Sequence, residues 1–123
     1  MEIISTNKAP AAVGAYSQAV KSGEMIFTSG QLPINPENGE LVGEIKAATK
    51  QSLENVEAIL KEAGASKENV VKCTVFLSDV NDFAAFNSVY EEFFGDHKPA
   101  RSAFQVGAIP KGALIEVEAI AVL

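Results

Sequence analysis

The sequence predicts an α+β fold, with five or six strands in a sheet and two long helices covering one face. Three observations predict it. Apolar residues recur every three or four positions in two windows, 45–63 and 83–94. Around these windows lie short runs rich in β-branched and aromatic residues, punctuated by Gly, Pro and Asn. The last run, Ile115 to Val122, puts Ile115, Val117 and Ala119 on one face of a strand and Glu116 and Glu118 on the other. A chain of 123 residues has room for one core, so residues 1–123 are expected to form a single domain.

Taken in order, Glu2 to Ser5 reads as a short strand. Asn7 to Gly14 contains Pro10 and Gly14 and reads as loop. Tyr16 to Lys21 reads as a second short strand, and Ser22-Gly23 as a turn. Met25 to Gln31 is strand-like and carries Ser29 and Gly30 near its end. Small residues there either end a strand in a turn or leave room for a ligand or another backbone. Leu32 to Gly43, with Pro33, Pro36 and Asn38-Gly39, reads as a structured connection.

The first helix spans Ile45 to Ala63. Ala48, Leu53, Val56 and Leu60 mark its buried face, and Lys46, Lys50, Glu54, Glu57 and Lys61 its solvated one. Gly64 is placed to stop it. Val70 to Leu77 is a strand, and Asp79 or Asn81 is placed to cap the next helix. That helix runs from Phe83 to Phe94 with an aromatic stripe on its core face, and Gly95 ends it. Asn87 falls at the edge of the stripe, as either a buried hydrogen bonder or a site residue. The strand that carries Arg101, a turn at Ile109 to Gly112 and the final strand complete the chain.

The net charge is −6 and the lysines are scattered, which disfavours nucleic acid and acidic membrane surfaces as ligands. One cysteine, Cys73, excludes an internal disulfide, and one histidine, His97, excludes a His-rich metal cluster. Cys73 lies in a β-branched run and reads as a buried small hydrophobe. The N-terminus has no basic, apolar leader, and no run is long enough to span a membrane, so the expected location is cytoplasmic.

Arg101 is the only arginine in the chain. A guanidinium is planar, permanently charged and shaped to grip a carboxylate. Arg101 either pairs with a glutamate in the sheet or, beside Glu116, binds a small carboxylic acid next to a water that the glutamate activates. Glu116 and Glu118 are either a solvated edge or part of a site. Two like charges on one face call for a cation or polar partner nearby. Tyr16 either packs over the sheet edge or reaches the site. Layer counting places Arg101, Glu116 and Glu118 on the face that two helices leave open, together with Leu114, Ile120 and Val122. Such a face is too apolar for water, so sheets from several subunits are expected to cover it.

Six segments resemble the RidA/YjgF reactive-intermediate deaminases: Gly14-Ala15-Tyr16-Ser17-Gln18-Ala19, Thr28-Ser29-Gly30-Gln31, Gln51-Ser52-Leu53-Glu54-Asn55-Val56, Asn81-Asp82-Phe83 with Asn87, Pro99-Ala100-Arg101-Ser102, and Ile115-Glu116-Val117-Glu118-Ala119-Ile120-Ala121. They span about Ala9 to Val122 in order. The resemblance implies a chorismate-mutase-like α+β fold, a mixed sheet with two helices on one face, and a homotrimer with sites at subunit interfaces. It implies hydrolysis of reactive 2-enamine/2-imine intermediates, such as 2-aminoacrylate and its imine tautomer, to 2-keto acids and ammonia, with no cofactor and no metal. It assigns the substrate carboxylate to Arg101 and the water to Glu116. Tyr16, Ser29 and Asn87 line the site, and the backbones of Gly30 and Ala103 contact the ligand. The family often has proline where this chain has Ala15, and many members have cysteine where it has Ala103. A backbone contact survives the second change, whereas a thiol role does not.

Three other functions compete. A metabolite-binding regulatory partner needs Arg101 but not Glu116. Ribonuclease or translation-inhibitor activity, attributed to some relatives, conflicts with the acidic balance. Chorismate mutase rests on fold analogy alone.

Overall fold

The computed structural model describes residues 1–123. Its strands are β1 (Glu2–Ile4), β2 (Ala19–Ser22), β3 (Met25–Thr28), β4 (Val70–Leu77), β5 (Ala100–Gln105) and β6 (Ile115–Val122), and its helices are α1 (Ile45–Glu62) and α2 (Phe83–Phe94). The strands form a six-stranded sheet in the order β1-β2-β3-β6-β4-β5. All pairings are antiparallel except β4–β5. Parallel neighbours need a crossover, and α2 provides it. α1 packs beside α2 and over β6 and β3. This is the α+β architecture expected, a mixed sheet with both helices on one face. Neither helix is long and apolar enough to cross a membrane.

β6 shows how the sequence sorts the two faces. Ile115, Val117, Ala119 and Ala121 are buried beneath the helices, while Glu116, Glu118, Ile120 and Val122 are half-buried on the open face. Fully burying an aliphatic side chain contributes about 1.5–3 kcal/mol, so a one-residue slip of this strand would be costly. The helices supply the matching surface. Leu53, Val56, Ile59 and Leu60 of α1 and Phe86, Tyr90 and Phe94 of α2 are buried. The α1 N-terminus is closed by the Glu44 carboxylate, which accepts from the Lys46 and Ala47 amides. Its C-terminus is followed by Gly64 at φ +84°, where a side chain would be strained.

Three local expectations need correction. β2 begins at Ala19 rather than Tyr16, because the Gln18 amide turns inward to hold the preceding loop. Asp79 caps a 3₁₀ turn at Val80–Asp82 by accepting from the Asn81 amide, and α2 starts one turn later. β3 leaves its ladder after Thr28. Phe27 pairs with Ile120, but Gln31 pairs with Val117, so three residues on this side (28, 29 and 30) face two on β6. The extra residue makes a bulge. Thr28 Oγ1 takes the Ala119 amide hydrogen bond at 3.0 Å that the interrupted ladder leaves free.

Candidate active site

The bulge brings Ser29 and Gly30 against Glu116. Glu116 stands on the open face opposite Phe76 of β4, where burial and then the neighbouring Glu118 raise its carboxyl above the ordinary glutamate range. Its carboxylate lies directly on Gly30. A Cβ on that glycine would come within 2.8 Å of both Cδ and Oε2 of Glu116. The glycine is therefore required sterically, not for its backbone conformation. Ser29 Oγ donates to the Ser17 carbonyl at 2.6 Å, so its proton is committed and its lone pairs remain to accept.

The loop before β2 forms the facing wall. Gln18, nearly inaccessible, donates to the carbonyls of Thr6, Ala9 and Pro10 and accepts from the Thr6 amide. This bracing fixes the segment from which Tyr16 projects, 53% exposed. Tyr16, Ser29, Gly30, Glu116, Glu118 and Lys111 line one cleft of about 950 Å³. Lys111, at φ +62°, is the only non-glycine residue with positive φ. It supplies a cation to the cleft that holds both glutamates.

Arg101 is elsewhere, and its expected face is corrected. The parallel register sets Arg101 opposite Cys73, a core residue, so its side chain emerges on the helix side of β5, not on the open face with Glu116. Ala103, opposite Val75, shares that side. β4 separates the arginine strand from the glutamate strand. Arg101 Nη1 donates to Asn87 Oδ1 at 2.6 Å, and its guanidinium lies over the rings of Phe83, Phe86 and Tyr90. Asn87 in turn donates to Glu91 Oε1 at 3.0 Å. Both ends of the Asn87 amide are thus engaged, which makes it a support for the arginine. A second cavity, of about 360 Å³, opens beside Arg101 and is shared with His97 and Lys98.

One chain therefore carries two incomplete halves. Tyr16, Ser29, Gly30 and Glu116 meet in one cleft; Arg101, Asn87 and Ala103 gather at the β5 edge. Cys73 is buried beneath α2, and burial pushes its thiol up to about 11, so it is inert at neutral pH. No group of three or more His, Cys, Asp and Glu side chains is arranged to hold a metal ion. Sequence reasoning missed the supporting roles of Gln18, Thr28 and Lys111. The first two lie inside short motifs, but only the inward turn and the bulge reveal what they do.

A small α+β sheet thus displays an arginine free of any carboxylate partner and, apart from it, a glutamate-lined cleft. The profile of the family described as Endoribonuclease L-PSP matches residues 6–123. The chain belongs to that family, the RidA/YjgF proteins. It is 59% identical to a RutC family protein of Pyrococcus abyssi, with 98% of this chain and 95% of that one covered. It is 51% identical to the 2-iminobutanoate/2-iminopropanoate deaminase of Escherichia coli K12, over 97% and 95% of the two chains. The crystal structure of E. coli TdcF with bound serine superposes with a TM-score of 0.97 at 47% identity, covering 100% of this chain and 99% of that one.

Proposed function

We propose that the protein hydrolyses reactive 2-enamine/2-imine acids to 2-keto acids and ammonia, as a cytoplasmic homotrimer whose sites lie between subunits. The observation that carries this reading is the division of the chain into two complementary halves. Arg101 has donors and no anion; Glu116 has a raised carboxyl and no guanidinium. With the Arg101 half of one subunit facing the Glu116 half of another, the guanidinium and the carboxylate stand on either side of a space for one small substrate, which separates them. The apolar residues of the open face, among them Phe27 and Phe104, gain cover in the same assembly. The E. coli relative named as an imine deaminase and the TdcF structure with serine support the same substrate class, since serine carries the α-carboxylate that a 2-imino acid also carries.

In this reading Arg101 grips the substrate carboxylate through paired N–H groups, each charged hydrogen bond contributing about 1.5–3 kcal/mol. The backbones of Gly30 and Ala103 and the Tyr16 ring bound the remaining space. Glu116 orients a water against C2 and takes its proton as the C–O bond forms. The C=N π pair of the protonated imine moves to nitrogen, giving a neutral carbinolamine. Protonated Glu116 returns its proton to nitrogen; an oxygen lone pair then forms the C=O bond as the C–N bond breaks, ammonia leaves, and the hydroxyl proton passes to Glu116, leaving the keto acid. One water is consumed and no redox change occurs, so no cofactor takes part. Ser29, with lone pairs free, accepts from the substrate N–H. RNA cleavage forms no part of this reading, because a chain of net charge −6 with scattered lysines lacks a phosphate track.

The test is an assay in which a serine or threonine dehydratase generates the imine and keto-acid formation is followed. Added protein should accelerate it. Arg101→Ala should lower kcat/KM at least about a hundredfold while staying folded, given two lost charged hydrogen bonds. A folded Arg101→Ala variant with full activity would overturn the carboxylate clamp.

A further inference from the structure

We propose that Phe86 and Tyr90 are positioning residues for the clamp: with Phe83, their ring faces form a floor that holds the Arg101 guanidinium oriented and free of any counter-anion. The inference rests on the reading of Arg101 as the carboxylate binder, and it adds what keeps that arginine available.

The Arg101 guanidinium carbon lies 4.8 Å from the Tyr90 ring centre, 5.3 Å from Phe86 and 5.4 Å from Phe83. These distances fall within cation–π range. A ring face attracts a cation but uses none of its N–H donors. Of the five donors a guanidinium carries, the chain engages one, through the Asn87 carbonyl. An arginine held by a carboxylate would be neutralised before substrate arrived. Here the carboxylate on the same helix face, Glu91, is instead bonded to Asn87 Nδ2. The rings thus hold the guanidinium in place while four of its five donors stay without a partner in the chain, enough for a bidentate anion.

The rings sit where α2 requires them. Phe83, Phe86 and Tyr90 fall at i, i+3 and i+7, one above another on the face over β5, and neighbouring rings meet edge-on at 5.4 and 5.6 Å. Phe86 and Tyr90 are buried, so the floor is rigid. The Tyr90 hydroxyl is buried with no hydrogen-bond partner other than the weakly accepting Cys73 thiol beside it. The ring, then, and not the hydroxyl, is what serves Arg101. That separates the proposal from a catalytic tyrosine.

Because Arg101 is the only arginine, protein labelled with ¹⁵N-arginine gives a single Nε–H signal. In the wild type, the Arg101 side-chain protons should be shifted upfield by the rings, and pyruvate, a small 2-keto acid, should move the Nε–H signal on titration. Tyr90→Phe should preserve both effects and the imine-hydrolysis kinetics. Tyr90→Leu and Phe86→Leu should reduce the upfield shift and raise KM about tenfold with kcat little changed. The second variant and the wild-type spectrum keep the test decisive should Tyr90→Leu fold poorly. An unshifted Arg101 signal, or Tyr90→Phe behaving like Tyr90→Leu, would overturn the floor. A ring-shifted, pyruvate-responsive Arg101 in a protein without imine hydrolysis would support the floor and remove the deaminase reading instead.

Discussion

At the scale of single residues, Glu116 and Gly30 form one unit. The glutamate occupies the volume a side chain at position 30 would need. Gly30→Ala should therefore displace the carboxylate rather than strain the backbone. A misplacement of about 1 Å in a reacting group costs on the order of a hundredfold in rate. The expected result is a folded protein with kcat/KM reduced about 10–100-fold, and little further loss when Glu116→Gln is added. Wild-type kinetics in Gly30→Ala would show that the position of Glu116 does not matter.

The protonation of Glu116 gives a second prediction. Burial raises its carboxyl first and Glu118 adds to this, with Lys111 the cation lining the same cleft. As a base, Glu116 must be ionised, so kcat/KM should rise with pH along a limb that burial and Glu118 push up and the facing subunit's Arg101 pulls down. Glu118→Gln should move that limb to lower pH, though only in part, because burial remains. The same shift has a stability consequence of definite sign. A carboxyl whose folded value is raised favours the protonated form in the folded state. Its contribution is present below the usual glutamate range and is lost as pH rises through the raised value. Denaturant unfolding of Glu116→Gln and wild type between about pH 4 and 7 should show the wild type losing ground as pH rises. A limb unmoved by Glu118→Gln would contradict the account.

At the scale of elements, the helices were legible and the sheet was legible only in part. The apolar period gave α2 as Phe83 to Phe94, the bounds observed, because an aromatic stripe and Gly95 mark both face and end. Alternation along β6 likewise sorted Ile115 and Val117 from Glu116 and Glu118. Alternation within a strand cannot say which face another strand presents, because that depends on register. For this reason the sequence pattern points Arg101 to the open face, whereas the pairing of Arg101 with Cys73 puts it on the other. The bulge after Thr28 was also invisible. One extra residue changes no local propensity, yet it is what brings Ser29 and Gly30 to Glu116. The family motifs named the residues of both halves, without showing that they lie apart in one chain.

Asn55 illustrates a motif residue that serves an element and not the chemistry. Buried on α1, its Nδ2 donates to the carbonyls of Leu32 at 3.1 Å and Ile34 at 2.9 Å, tying the long 32–43 connection to the helix. Leu32 and Ile34 line the Glu116 cleft. Asn55→Ala leaves the Ile34 carbonyl without a partner and the Leu32 carbonyl with only the Ile34 amide, and should destabilise the fold by about 1–3 kcal/mol. It should also loosen this wall and raise KM. Unchanged unfolding midpoints would show that the tie contributes nothing.

At the scale of the whole molecule, the two halves impose a geometry. Arg101 and Glu116 emerge on opposite faces of one sheet with β4 between their strands. A carboxylate clamp and a water-activating glutamate can act on one small substrate only if different copies of the chain supply them. In a closed ring of three, each interface would join the arginine of one subunit to the glutamate of the next. The open face, bearing Met25, Phe27, Ile120 and Phe104, would be covered by the same packing.

The central claim is therefore the sharing of each site between subunits, and complementation tests it most directly. Arg101→Ala and Glu116→Ala proteins, each inactive alone, are mixed in equal amounts, unfolded and refolded together, and assayed for imine hydrolysis. Any mixed trimer has one interface with both residues intact, so random assembly should restore about one-quarter of wild-type activity. Mixed trimers that form, as seen by native mass spectrometry, yet remain inactive would contradict the account.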